Sequence, residues 1–229
     1  MKSLTFTIES QGRKSERNIR IDRLIVAGWT GRNREKMEEH IIELEKLGVK
    51  RPVSTPVFYR VSAARLTFNP LIEVPGASSS GEAEPLLIHD GERILLGLAS
   101  DHTDRAVEAY GITVSKQMCD KPCAPICWLL DEVFDHWDAL ELTSMIEENG
   151  VTAEYQRGRL AAMLSPKDLI SALERAGGTF KAGTAMLCGT LPAIGGVRPS
   201  SFFEMTLSDP ALGRSISHRY EVLTLPVEG

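Results

Sequence analysis

The chain reads as a β-rich α+β protein, on three observations. Short alternating or β-branched runs recur from end to end, only two segments show clear helical periodicity, and strands do not alternate regularly with helices. The last point excludes a doubly wound parallel sheet. Leu4–Ile8 and Ile19–Val26 have the alternation of strands. Asn33–Leu47 predicts a helix: Met37, Ile41, Leu44 and Leu47 recur at helical spacing and Gly48 is a C-terminal stop. Val57–Val61, Leu71–Val74, Leu86–His89 and Ile94–Ala99 follow as strands, with Ala77–Gly81 as a tight loop. Tyr110–Ser115 is read as a strand. Leu140–Ile146 and Val151–Arg157 are read as a hairpin over Asn149-Gly150, a strong turn signal. Pro166–Arg175 predicts the second helix, with proline in its first turn and Gly177-Gly178 after it. Thr184–Cys188, Phe202–Leu207 and His218–Leu225 complete the strands.

Composition bounds the function. A chain of 229 residues with 42% hydrophobic and 25% charged residues is long enough for a real core and too apolar for disorder. No apolar run approaches the ~18 residues that span a bilayer. The first ten residues alternate and lack the regions of a secretion signal, which makes the cytoplasm the expected compartment. Net charge is −5 and no Lys/Arg block tracks a phosphate backbone, so neither nucleic acid nor a membrane surface is an expected partner. Cys119, Cys123, Cys127 and Cys188 are too few for a disulfide scaffold, and Pro122 and Pro125 break any helix that would align the first three; they read as buried thiols.

Four places carry residues with chemical potential. In Glu82-Ala83-Glu84 the two-residue step puts both carboxylates on one strand face, where they repel unless a proton or a cation lies between them. Hard oxygen ligands of this kind suit Mg²⁺ or Mn²⁺, although a bare pair of this spacing is equally that of two solvated acids. Ser100 to Arg105 packs charged side chains after a strand, and Asp101 or Asp104 could add a third carboxylate; no second histidine stands at ligand spacing from His102. His40 falls within the apolar stripe of the first helix with Glu43 three residues on, an arrangement of a base with an orienting carboxylate and also of an ordinary helical ion pair. Gly189-Thr190-Leu191-Pro192 and Gly195-Gly196 let backbone approach a ligand or simply turn the chain. Phosphate-cradling glycine loops and the serine-hydrolase elbow are absent.

Taken in order, these segments resemble the fumarylacetoacetate hydrolase superfamily, and within it the DUF2848 branch. His40 and Glu43 match its His-x-x-Glu, Pro56 to Arg60 its PxlFxK, and Glu82 and Glu84 its ExE. Ser100 to Arg105 match nDxsaR, Lys116, Asp120 and Pro125 match aKxxD…P, and Gly183 to Gly196 match the TGTP segment. Arg60 replaces the usual lysine, Cys188 the first threonine of TGTP, and the gap from Glu84 to Asp101 is short.

The likeness spans about residues 24 to 220. It implies a fumarylacetoacetate hydrolase-like β-roll with few short helices, one domain over 1–229 with N-terminal strands and a lid helix over 1–56 and a metal-binding core over 57–229, and a homodimer. It also implies Mg²⁺ or Mn²⁺ on Glu82, Glu84 and Asp101, catalysis by His40, Glu43 and Lys116, and substrate contacts from Arg60, Arg105 and Thr190. The implied reaction is hydrolysis of a C–C bond in a small 2-oxo acid or β-dicarbonyl. Decarboxylation or isomerisation on the same site is the alternative, as is an idle metal- or ligand-binding protein.

Overall fold

The computed structural model describes residues 1–46 and 51–228, and within the first helix it leaves out the side chains of residues 36, 40, 43, 44 and 46. The chain opens with β1 (Lys2–Ser10), β2 (Arg13–Ile21) and β3 (Arg23–Gly28), then α1 (Arg34–Lys46). Next come β4 (Val57–Val61), β5 (Leu66–Thr67), β6 (Leu71–Pro75), β7 (Ser79–Ser80), β8 (Ala83–His89), β9 (Ile94–Ser100) and β10 (Thr103–Asp104). Two short helices, α2 (Arg105–Glu108) and α3 (Ile112–Met118), lead to β11 (Lys121–Pro122) and β12 (Ile126–Leu129). β13 (Glu141–Glu148), β14 (Val151–Arg159), α4 (Pro166–Arg175), β15 (Thr184–Leu187), β16 (Phe202–Asp209) and β17 (Arg214–Leu225) end the chain.

The strands make an eight-stranded sheet, β2-β1-β12-β9-β8-β15-β3-β4, and a five-stranded sheet, β14-β13-β16-β17-β6. β8, β9 and β15 lie inside the large sheet and are buried on both faces, which is why they read as apolar runs without alternation. Consecutive residues of these strands serve different cores. Leu86 and Leu95 pack with Phe6, Ile21 and Leu24 on one face. Leu87 and Leu96 pack on the other, against Leu142, Phe203 and Met205 of the small sheet. β13 and β14 turn at Asn149 (φ 53°) and Gly150 (φ 77°), the left-handed pair a tight hairpin requires.

The architecture is the β-rich α+β fold that the sequence predicts, with three corrections. Ile19–Val26 is not one strand: it breaks at Asp22, where the amides of Asp22 and Arg23 both donate to the Gly183 carbonyl. Tyr110–Ser115 is not a strand either. Asp104 caps α2 by accepting from the amides of Ala106 and Val107, Gly111 N donates to Val107 O, and Ser115 Oγ bonds back to Ile112 O within α3. This local bonding outweighs the β-branched character of Ile112, Thr113 and Val114. β12, finally, is not among the strands read from the sequence, although Ile126-Cys127-Trp128-Leu129 is an apolar run of strand length after the break at Pro125. Among the described residues no helix is long and apolar enough to cross a membrane.

The two sheets meet tightly at Gly81, where an added Cβ would lie 2.6 Å from Tyr220 Oη and 2.8 Å from the Phe203 ring. Gly81→Ala is therefore expected to destabilise by about 1–3 kcal/mol, the usual cost of overpacking. Thermal denaturation should show a melting temperature lower by several degrees, and an unchanged one would refute the packing argument.

Candidate metal centre

Antiparallel pairing of β8 with β9 sets Ala83 opposite Ser100 and Glu84 opposite Ala99. Glu82 and Asp101 stand just beyond this ladder, and Asp101 N donates to Glu82 O at 2.9 Å. The pleat then places Glu82 and Glu84 on one face, and oxygens of Glu82, Glu84 and Asp101 lie within 4.8 Å of one another. Asp104 is elsewhere, occupied as the α2 cap.

Glu84 is the closed side of this triad, 2% exposed, with Oε2 accepting from Gly189 N at 2.7 Å. Burial, and then the charges of Asp101 and Glu82, push its carboxyl well above the usual range. Gly189 is required there: at φ 93° its added Cβ would fall 1.9 Å from Thr30 Oγ1. Asp101 is fully buried, which alone would raise its carboxyl, but Lys116 and Lys121 outweigh burial and hold it at about 2. Lys116 Nζ pairs with Asp101 Oδ2, and Lys121 Nζ lies 3.3 Å from Oδ1. Burial acts to lower the Lys116 ammonium, yet Asp101 and Glu82 raise it above its ordinary value.

The remaining candidates divide. Arg105 reaches the triad, with Nη2 3.3 Å from Glu82 Oε1 and Nε donating to Ser80 Oγ at 2.7 Å. Thr190 reaches it indirectly: its hydroxyl donates to Ala83 O at 2.7 Å and accepts from Gln156 Nε2 at 2.7 Å. Gln156 Oε1 also accepts from Ala83 N at 2.9 Å, so the two side chains grip the residue between the glutamates. Arg60 is not brought to the triad. It is exposed on β4, and neighbouring Tyr59 points the other way, its ring 5.8 Å from Lys116 Nζ. His40 and Glu43 lie on α1, but their side chains are outside the described residues. Sequence reasoning missed Tyr59 and Lys121. For Lys121 the available signal was its setting, a lysine between Cys119 and Cys123 in a segment read as buried.

The triad fits a hard divalent cation. Its carboxylates repel one another out of water, and Asp101 Oδ1 is buried with no hydrogen-bond partner. His102 does not join it: Nδ1 pairs with Tyr220 Oη at 3.0 Å and Nε2 with Ser79 Oγ at 2.9 Å.

A family model described as "Protein of unknown function (DUF2848)" matches residues 27–220. The chain belongs to this family. No curated protein matches it. Among solved structures, it is similar to a protein from Oleispira antarctica assigned as a fumarylacetoacetate isomerase/hydrolase, at 20% identity and TM-score 0.64 over 95% of this chain and 99% of that one. A Burkholderia cenocepacia protein assigned as a fumarylpyruvate hydrolase gives 16% and 0.63 over 99% and 97%. A 2-keto-3-deoxy-D-arabinonate dehydratase complexed with magnesium and 2,5-dioxopentanoate gives 16% and 0.65 over 92% and 77%. At these identities the likeness establishes the DUF2848 chain's fold, that of the fumarylacetoacetate hydrolases.

Glu84 gives the centre a pH signature in metal-free protein. Its folded carboxyl is raised, so its contribution is favourable below the ordinary value of 4.5 and becomes a cost as pH rises above it. In chelator, Glu84→Gln is expected to melt higher than the native chain at pH 8 and not at pH 4. Added Mg²⁺ at a hundredfold excess over Kd should stabilise the native chain by about 2.7 kcal/mol, roughly 5–10 °C for this size. Glu82→Gln/Glu84→Gln should lose that rise, and a double variant that keeps it would exclude the triad as the binding place.

Proposed function

We propose that the chain is a divalent-metal-dependent enzyme that hydrolyses a C–C bond in a 2-oxo acid or β-dicarbonyl compound of acylpyruvate type. The observation that carries this reading is the buried Glu82–Glu84–Asp101 triad with the Lys116 ammonium on its edge. The structural neighbours support the substrate class, since one is assigned as a fumarylpyruvate hydrolase and another is complexed with magnesium and 2,5-dioxopentanoate. Glu82, Glu84 and Asp101 would hold Mg²⁺ or Mn²⁺, which when bound supplies Lewis acidity for a 2-oxo group.

The other residues take up charge and protons. His40, oriented by Glu43, removes a proton from water as the oxygen adds to the acyl carbonyl. The C–C bond then breaks, leaving a carboxylic acid and a 2-oxo fragment on which negative charge develops. Lys116 lies beside that charge in a place shielded from solvent, where a fixed cation acts strongly. The departing carbon regains a proton to give the 2-oxo acid. Tyr59, whose hydroxyl has no hydrogen bond among the described residues, and Arg105 are set to orient the substrate. Thr190 acts through Ala83, keeping the glutamates in place. α1 as a movable cover, a single domain over 1–229 and the homodimer belong to the same proposal.

Loss of the acylpyruvate ultraviolet band provides the test. His40→Ala should lower turnover by about 10²–10⁴ while leaving Mn²⁺ affinity nearly unchanged. Lys116→Met should also lower turnover, and Asp101→Asn should remove both metal binding and activity. If His40→Ala stays fully active while Asp101→Asn is dead, no activated water is needed and decarboxylation replaces hydrolysis. Dicarbonyls that raise the melting temperature without being turned over would make the chain a binding protein.

A further inference from the structure

Lys121 has no part in the chemistry above, yet it is among the most enclosed charges in the protein, with no exposed side-chain surface. It begins β11, whose pairing with β5 sets Lys121 opposite Leu66. Its Nζ donates to His102 O at 2.5 Å, Lys116 O at 2.5 Å and Cys119 O at 3.2 Å. Three carbonyl acceptors use three N–H groups, which is the ammonium form with none to spare. Asp101 Oδ1, 3.3 Å away, therefore receives the charge of Lys121 without a hydrogen bond, and it is indeed unpartnered. The carbonyls it holds belong to the residue after Asp101 and to Lys116, so one ammonium also fixes the backbone on both sides of the Lys116–Asp101 pair.

The charge count around the triad then becomes informative. Glu82, Glu84 and Asp101 face Lys116 and Lys121, both on Asp101, and Arg105, on Glu82. With Glu84 ionised, three enclosed acids meet three bases; Glu108, the second partner of Arg105 at 3.2 Å, keeps 33% of its side chain exposed and is screened by solvent. A divalent cation adds two positive charges to a buried balanced cluster, where opposing charge is poorly screened. An anionic ligand bearing two negative charges would restore the balance.

We infer that Lys121 makes cation binding at this centre conditional on an anionic ligand: its fixed charge weakens the triad for a divalent ion alone, and a dianion with adjacent oxygens binds together with the ion. The inference rests on the metal reading above and adds an order to it, since cation and anion must strengthen each other by the same factor.

The test measures Mn²⁺ binding to the full chain by titration of free Mn²⁺ in electron paramagnetic resonance, with and without oxalate, corrected by a protein-free titration for the Mn²⁺–oxalate complex. Oxalate should tighten Mn²⁺ binding to the native chain by about tenfold or more. Lys121→Gln, which keeps amide donors for the carbonyls but not the charge, should bind Mn²⁺ alone about tenfold or more tightly than the native chain, with a smaller oxalate effect. Lys121→Arg should stay close to native. A merely structural lysine would give the opposite sign, since a loosened site does not gain affinity. Native Mn²⁺ binding that neither oxalate nor Lys121→Gln tightens overturns this inference alone. Absence of Mn²⁺ binding in every chain, with or without oxalate, overturns the metal reading and this inference with it. Should Lys121→Gln fail to fold, Lys121→Met gives the same readout. If neither folds, the native oxalate effect decides, and its absence overturns the inference.

Discussion

Three carboxylates share a space of 4.8 Å at one end of the large sheet, largely out of contact with water, and their mutual repulsion has to be met. The three opposing cations all come from one excursion of the chain. Between β9 and β12 the backbone leaves the large sheet, passes through β10, α2, α3 and β11, and returns, bringing Arg105, Lys116 and Lys121 to the triad. Both ends of the excursion are tied to the long connection between β4 and β8, β10 by pairing with β7 and β11 by pairing with β5. These small two-stranded sheets are thus the device that holds the counter-charges in register with the acids.

The small sheet supplies rigidity from the other side. Gln156 on β14 reaches Ala83, Thr190 and the Leu191 carbonyl, and Ser144 on β13 donates to its Oε1 at 2.8 Å. Tyr220 on β17 pairs with Ser100 Oγ at 2.7 Å and with the His102 ring. Burial first, then Lys121 and Arg105, lowers His102 to about 3. It is therefore a neutral ring joining two hydroxyls, a strut behind Asp101 rather than a ligand or a base.

Much of this was legible in sequence, and the exceptions have physical causes. Val57–Val61 and Pro166–Arg175 were read with their observed limits because β-branched and aromatic residues crowd the first and helix punctuation frames the second. Glu82, Glu84 and Asp101 were singled out by a period-two step and a strand end, which are local properties, and it was the resemblance that joined them into one metal site. Lys121 was not, since a lysine in sequence looks like surface and only the carbonyls of three separate residues make it interior. Arg60 was favoured over Tyr59 because it stands where the resemblance places a lysine. The face each occupies is set by the phase of β4, and Val57, Phe58 and Tyr59 are all half-buried, so alternation gives no clear phase. α2 and α3 escaped because their caps and back-bonds outweigh residue preference.

The position of α1 follows from the same geometry. β3 and β15 run parallel, Val26 opposite Leu187, so the chain leaves both strands at one end of the sheet. Thr30 and Gly189 therefore meet, at the point where Gly189 N donates to Glu84. Trp29, between β3 and Thr30, is held at φ 57°, a costly conformation for a bulky residue that fixes the direction in which the chain departs toward α1. On the far side of α1 the chain re-enters the sheet as β4, its edge strand, which carries Tyr59 to Lys116. Glu84 is sealed, whereas Glu82 keeps 19% of its side-chain surface exposed, so the triad opens toward Glu82 and not toward Glu84. The segment bearing His40 and Glu43 is thus anchored at one end beside the sealed glutamate and at the other on the strand that brings Tyr59 to Lys116. Beyond Thr30 the chain is held again, Arg32 N donating to Ala162 O and its guanidinium pairing with Asp138, so α1 starts from a fixed point.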